Sequence, residues 1–148
     1  MEEKIKKVLE KIESLEESFV WKIAEGRDKL GNANKWRESH PRSVSKSIGR
    51  LLYFLVLSTN AKKILELGCS AGYSSLWMSL GVLRTGGHIY TTELIEEKAN
   101  TAEVNFKESG VYNKITLIRG DIKEILKNWK ISDLDLIFIN ANKEEYIS

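Results

Sequence analysis

The chain has 148 residues, 42% of them hydrophobic and 30% charged, with a single proline and a single cysteine. That suits one domain rather than two, able to bury roughly 68–70% of the surface of its unfolded chain, and the lone Cys69 excludes an intrachain disulfide. The 23 basic and 21 acidic side chains leave a formal charge of +2, too balanced to mark a nucleic-acid or membrane-surface protein, and no apolar run approaches the ~18 residues of a membrane span.

The N-terminus, MEEKIKKVLEKIESLEE, is charged throughout and is not a signal peptide, so a reduced, cytoplasmic setting is expected. Ile5, Val8, Leu9, Ile12, Leu15, Phe19 and Ile23 recur at three- and four-residue steps, the stripe of an amphipathic helix. Gly26 to Ser47 is polar and broken by Gly31, Asn32, Asn34 and Pro41, which predicts a loop or short irregular helices. A second helix is expected over Ile48 to Leu57, where LLYFLVL is apolar nearly all round and reads as buried. These first 60 residues form an expected N-terminal helical cap, and residues 61–148 the core of the same single domain.

From residue 62 strands and helices alternate. Lys63 to Leu67 is a short apolar strand ending at Gly68, and Gly72 to Leu83 is helix-like, stopped by Gly86-Gly87. A second strand spans His88 to Glu93, and a helix with Ala99, Ala102 and Phe106 on one face runs from Ile95 to Ser109. A third strand covers Lys114 to Arg119. Asp121 then caps a helix with Ile122, Ile125, Leu126 and Trp129 on one side. Leu134 to Ile139 is a fourth strand, continuously apolar and so expected to be covered on both faces. The alternation specifies an α/β fold, a parallel sheet with helices on both sides, whose ligand site lies beyond the carboxyl ends of the strands. Glu66-Leu67-Gly68, Glu93, Gly120-Asp121 and Asn140 converge there.

The most informative of these ends is Glu66-Leu67-Gly68-Cys69-Ser70-Ala71-Gly72-Tyr73-Ser74. Gly68 permits a sharp turn and Gly72 a close approach of backbone to ligand, although an ordinary strand-to-helix turn would use glycines too. Ser70 stands where a dinucleotide fingerprint needs its middle glycine, so a nucleoside without phosphates fits better and a nicotinamide dehydrogenase is disfavoured. Glu93, 21 residues after Gly72, can accept hydrogen bonds from both hydroxyls of a ribose; the plainer reading is a solvated strand-end glutamate. Asp121 is open between helix cap and adenine ligand, and Trp77 reads as core.

The runs KKILELGCSAGYSSLWMS, GGHIYTTELIEEKANTAEVNFKESG, KITLIRGDIKEIL and LDLIFINANKEEY together resemble the S-adenosylmethionine-dependent O-methyltransferases of the catechol and caffeoyl-CoA type. The likeness spans about residues 43–148 and includes Ser43-Val44 and Gly49-Arg50-Leu51-Leu52 upstream. It implies a Rossmann-like methyltransferase fold, here with about four strands, and a small hydroxylated methyl acceptor. It also implies site roles. Glu66, Gly68, Gly72 and Ser74 would surround the methionine moiety of S-adenosylmethionine, with Val44 against it. Glu93 would hold the ribose, Leu94 would pack on the adenine, and Asp121 and Ile122 would border that ring. Lys143 matches the lysine placed to take the acceptor's proton, and Tyr146 a frequent tyrosine of the same motif.

Two departures accompany these matches. Asn140-Ala141-Asn142-Lys143 stands where the family usually reads Asp-Ala-Asp-Lys, its first aspartate binding a divalent cation. Asn140 is counted here with the cofactor-binding residues; it offers one neutral carbonyl oxygen, so the family's usual Mg²⁺ is expected to bind poorly and no metal ligand is assigned. Family members also continue for about another third of their length. The expectation is a truncated chain whose fourth strand is an apolar edge, covered by a second copy, the N-terminal helix or further sequence. Two alternatives stand beside this one. The first is an RNA methyltransferase of the same fold, using Lys35-Trp36-Arg37, His40-Pro41-Arg42 and Lys46, a stretch that otherwise reads as a solvated loop. The second is a non-catalytic relic that binds the cofactor.

Overall fold

The computed structural model describes residues 1–26 and 44–141, with residues 18–26 as backbone only. Four parallel strands set the frame: β1 (Lys63–Leu67), β2 (His88–Glu93), β3 (Ile115–Arg119) and β4 (Leu136–Ile139), in the order β3-β2-β1-β4. Leu65 lies opposite Tyr90 and Glu66 opposite Thr91, while Ile64 faces Leu136 and Leu67 faces Ile139 on the other side. Because every pairing is parallel, all four carboxyl ends meet on one edge, as the strand–helix alternation predicts.

The helices are α1 (Glu2–Gly26), α2 (Lys46–Ser58), α3 (Tyr73–Thr85), α4 (Glu96–Glu108) and α5 (Ile122–Lys127), with a 3₁₀ turn at Tyr112–Lys114 just before β3. That turn starts β3 one residue later than expected, and β4 begins two residues late. The Glu66 and Thr91 side chains point toward α3. Tyr90, on the opposite face, meets Trp129 just beyond α5 edge-on at 5.7 Å between ring centroids. Helices therefore lie on both faces, in a Rossmann-like arrangement.

One hydrophobic cluster joins α1 to the rest. Ile5, Val8, Leu9 and Ile12 are buried with Ile64, Leu76, Met78, Ile89 and Phe106. The expected stripe thus holds through Ile12, Leu15 is exposed, and the side chains of Phe19 and Ile23 lie outside the described residues. No helix among the described residues is long and apolar enough to cross a membrane.

Two expectations are corrected. α2 is not buried all round: Gly49, Leu52 and Val56 are, but Leu51 is 53% and Phe54 62% exposed. The helix buries only the stripe that meets α3. There the bare backbone of Gly49 accommodates the Trp77 indole, and that of Gly81 accommodates Val56. Among the described residues, β4 is not covered on both faces either. Leu136 and Phe138 share the face of Ile64 and Glu66 and pack on the core, whereas Ile137 and Ile139 are each 53% exposed. On that second face Leu65 and Leu67 are buried, so the covering extends over β1 and stops short of β4.

Candidate functional site

Between β1 and α3 the chain makes a five-residue loop, 68–72, in which every second residue is left-handed: Gly68 (φ 90°), Ser70 (φ 51°) and Gly72 (φ 88°). Glycine takes this conformation freely and serine does not, so Ser70 must be held by its surroundings. It is held through its amide, which donates to Glu93 Oε2 at 2.7 Å. The neighbours are pegged in the same way. Gly68 N donates to Thr92 Oγ1 (3.1 Å), Cys69 N to Thr92 O (2.9 Å) and Gly72 N to Cys69 O (2.8 Å), while Asn105 Nδ2 donates to Ala71 O (2.8 Å). β2 and α4 therefore fix the loop from beneath.

The glycines serve this packing. A methyl group at Gly72 would lie 2.5 Å from the Phe106 ring, and one at Gly68 would lie 3.0 Å from the Asn140 carbonyl oxygen. Packing gives Gly72 a reason of its own beside the close approach of backbone to ligand expected of it: the space a side chain would take is filled by Phe106 of α4.

Glu66 is fully buried beneath the loop. Its Oε1 accepts hydrogen bonds from Ser75 and from Thr91 (2.6 Å), and its Oε2 accepts one from Ser74. Burial pushes its pKa above the ordinary 4.5, against the pull of the three hydroxyl bonds and with a smaller push from Glu93. Glu66 and the nearly inaccessible Ser74 thus brace the start of α3 from inside rather than facing outward. Cys69 is buried as well, and desolvation, followed by the charges of Glu66 and Glu93, drives its thiol well above its usual range, which disfavours the thiolate.

At the end of β2, Glu93 is 8% exposed. Its second oxygen, Oε1, accepts from Ile95 N at 3.1 Å, and its backbone oxygen accepts from Gly120 N at 3.1 Å. A carboxylate has about four acceptor sites, so after two amide bonds Glu93 retains capacity for two more donors, such as adjacent hydroxyls. Leu94, next to it, is 54% exposed, an apolar surface beside a charged acceptor. Asp121 caps α5, its Oδ1 accepting from Lys123 N at 2.8 Å, and Ile122 follows half-buried. Asn140 N donates to Leu67 O at 2.9 Å, which places the β4 end beside Gly68. Val44 packs half-buried on the core just before α2. The fold brings Gly68, Gly72, Glu93, Leu94, Asp121 and Asn140 to one rim. Lys143, Tyr146 and the basic stretch 35–42 lie outside the described residues.

Thr91, Thr92, Ser75 and Asn105 were missed as site-building residues by sequence reasoning. The available signal was two adjacent threonines between the apolar Ile89-Tyr90 and Glu93, followed twelve residues after Glu93 by an asparagine on the apolar face of a helix.

The O-methyltransferase family profile matches residues 25–148. This chain belongs to that family. It is 36% identical over 107 residues to a catechol O-methyltransferase of Niastella koreensis, covering 70% of this chain and 48% of the relative. Its identity to a catechol O-methyltransferase of Mycobacterium tuberculosis is 29% over 106 residues, covering 72% and 48%. An O-methyltransferase from Bacillus cereus, solved in complex with SAH, superposes with a TM-score of 0.70 at 27% identity, over 93% of this chain and 56% of the other. The chain spans about half the length of the curated relatives it matches.

For a divalent cation, the described residues at the end of β4 offer a poor donor set. Asn140 supplies a neutral amide, and no three His, Cys, Asp or Glu side chains cluster as a metal site among the described residues.

Proposed function

We propose that this chain binds S-adenosylmethionine at the carboxyl rim of its sheet and serves methyl transfer to a small hydroxylated acceptor. The observation that carries the reading is the bond between the left-handed Ser70 amide and Glu93, which locks the glycine loop against an acidic strand end with acceptor capacity to spare. The bound group supplies a methyl on a sulfonium, leaving as a neutral thioether, so the protein must chiefly align donor and acceptor and remove a proton.

The chain's residues divide that work. Glu93 accepts the ribose hydroxyls and Leu94 lies against the adenine. Asp121, with one oxygen engaged as helix cap, has the other for the adenine amino group, and Ile122 borders the ring. The first turn of α3 has no side-chain cap, so its amides suit the methionine carboxylate, beside Gly68, Gly72, Val44 and Asn140. Glu66 and Ser74 act by holding that turn. Lys143 is our candidate base; it follows Asn140 by three residues, within about 10 Å of chain reach of the rim. Lys143 must be neutral to take the proton, and where no metal lowers the acceptor's pKa an acidic, phenol-like hydroxyl is favoured. Within this reading residues 1–60 act as a helical cap on the 61–148 core, and the small acceptor is its partner.

Calorimetric titration with S-adenosylhomocysteine tests the proposal. One molecule should bind per chain, and Glu93→Ala should weaken it. Absence of binding to the unmutated chain removes the reading.

A further inference from the structure

α1 precedes almost all of the region matched by the family profile, which begins at residue 25. It nevertheless reaches the loop. Tyr73, the first residue of α3 and the one after Gly72, donates its phenol to Glu13 Oε1 at 2.7 Å. Glu13 Oε2 lies 3.6 Å from Lys46 Nζ, at the first residue of α2 and two residues beyond Val44. One carboxylate of α1 thus bridges the two segments that flank the methionine side of the rim.

The surroundings leave Tyr73 little choice. Its ring is buried and edge-on to Trp77, with centroids 6.4 Å apart, and Trp77 in turn sits against Gly49 of α2. Burial pushes the phenol up to about 12, so it stays a donor, and a carboxylate is a strong acceptor for it. The Lys46 contact is half-exposed and worth little alone, so the phenol bond dominates. α1 is itself anchored through Ile5, Val8, Leu9 and Ile12, so the backbone that carries Glu13 is held against the core.

We propose that Glu13 is a positioning residue for the cofactor loop, setting Tyr73 and with it the left-handed turn at Gly72 and the first amides of α3. The inference rests on the functional reading above for its ligand but not for its geometry. Its test therefore has two arms, applied to Glu13→Ala, Glu13→Gln, Tyr73→Phe and the Glu13→Ala/Tyr73→Phe double variant.

In the ligand-free protein, amide exchange over residues 68–74 should quicken in Glu13→Ala while residues 5–12 of α1 keep their protection. In calorimetry, Glu13→Ala and Tyr73→Phe should each weaken S-adenosylhomocysteine binding about fivefold, the scale of one hydrogen bond, with the double variant no weaker than either. Glu13→Gln, which keeps an acceptor oxygen, should recover most of the loss. Unchanged exchange at 68–74, exchange that rises equally through α1 and α3, or losses that multiply in the double variant overturn the proposal. If the unmutated chain fails to bind S-adenosylhomocysteine, the functional reading falls, and the exchange arm alone still decides whether Glu13 positions the loop.

Discussion

Where β1 meets β2, Glu66, Thr91 and Thr92 are all buried: Glu66 accepts from Ser74 and Ser75 of α3, Thr91 donates to Glu66 across the strands, and Thr92 accepts from Gly68 of the loop. Where β1 meets β4, the strand pairs on one side only among the described residues, and Ile137 and Ile139 stand 53% exposed. The first junction is polar, dry and cross-braced; the second is apolar and half-open. Preorganisation in this molecule is concentrated on the side proposed to hold the methyl donor. Polar groups in a dry interior are costly unless every partner is present, so their complete pairing fixes one geometry there. An exposed isoleucine imposes no such demand.

The largest effect expected on this contrast comes from removing the floor of the loop. Phe106 is fully buried and fills the space beside Gly72. Phe106→Ala should cost about 3–5 kcal/mol in urea unfolding, the usual toll of a lost buried ring and its cavity. A cost below about 1 kcal/mol would mean that the loop has no fixed floor and that the two junctions are more alike than the packing indicates.

Next comes Glu93→Ala, which strips the acceptor from the Ser70 and Ile95 amides and from any ribose. Binding of S-adenosylhomocysteine should weaken by about 1–3 kcal/mol, read by calorimetry with the melting temperature as control. A loss of thermal stability with affinity intact would assign Glu93 to the loop alone.

Most of the frame was legible because period and spacing are local properties. The bounds of β2, the Asp121 cap and the buried face of α1 through Ile12 follow from residues close in sequence. The Glu66 cage was not legible, since it depends on the register that sets Glu66 against Thr91. Threonine in a strand reads equally as a β-branched filler or as a buried donor, and only the opposing residue decides. The reading of β4 went astray for a related reason. A continuous apolar run says what a strand is able to bury; its neighbours determine what it does bury. At the rim, the convergence of Glu93, Asp121 and Asn140 was visible from topology, while the left-handed Ser70 was hidden behind a residue type that rarely adopts that conformation.

A graded effect is expected at the buried carboxyl of the braced junction. The Glu66 pKa is raised in the folded protein above its ordinary 4.5, chiefly by burial. Its protonated form is therefore favoured by folding. That contribution is fully present below 4.5 and is lost as pH rises through the raised value. Glu66→Gln stays neutral throughout. The stability difference between the unmutated chain and Glu66→Gln, followed by urea unfolding from pH 4 to 8, should shift toward the variant as pH rises. A pH-independent difference would place Glu66 in a wetter setting than its burial indicates.

The smallest effect is expected at the open junction. Ile137→Thr and Ile139→Thr, at half-exposed positions, should each change stability by no more than about 0.5 kcal/mol. The same pair of substitutions tests whether a second copy of the chain uses this edge. Pairing between copies would make the melting temperature of the unmutated chain rise with protein concentration, and both substitutions would flatten that rise. A temperature independent of concentration before and after substitution leaves β4 without a second copy across it. The contrast then stands in its sharpest form, with a braced polar rim on one side of β1 and an uncommitted apolar one on the other.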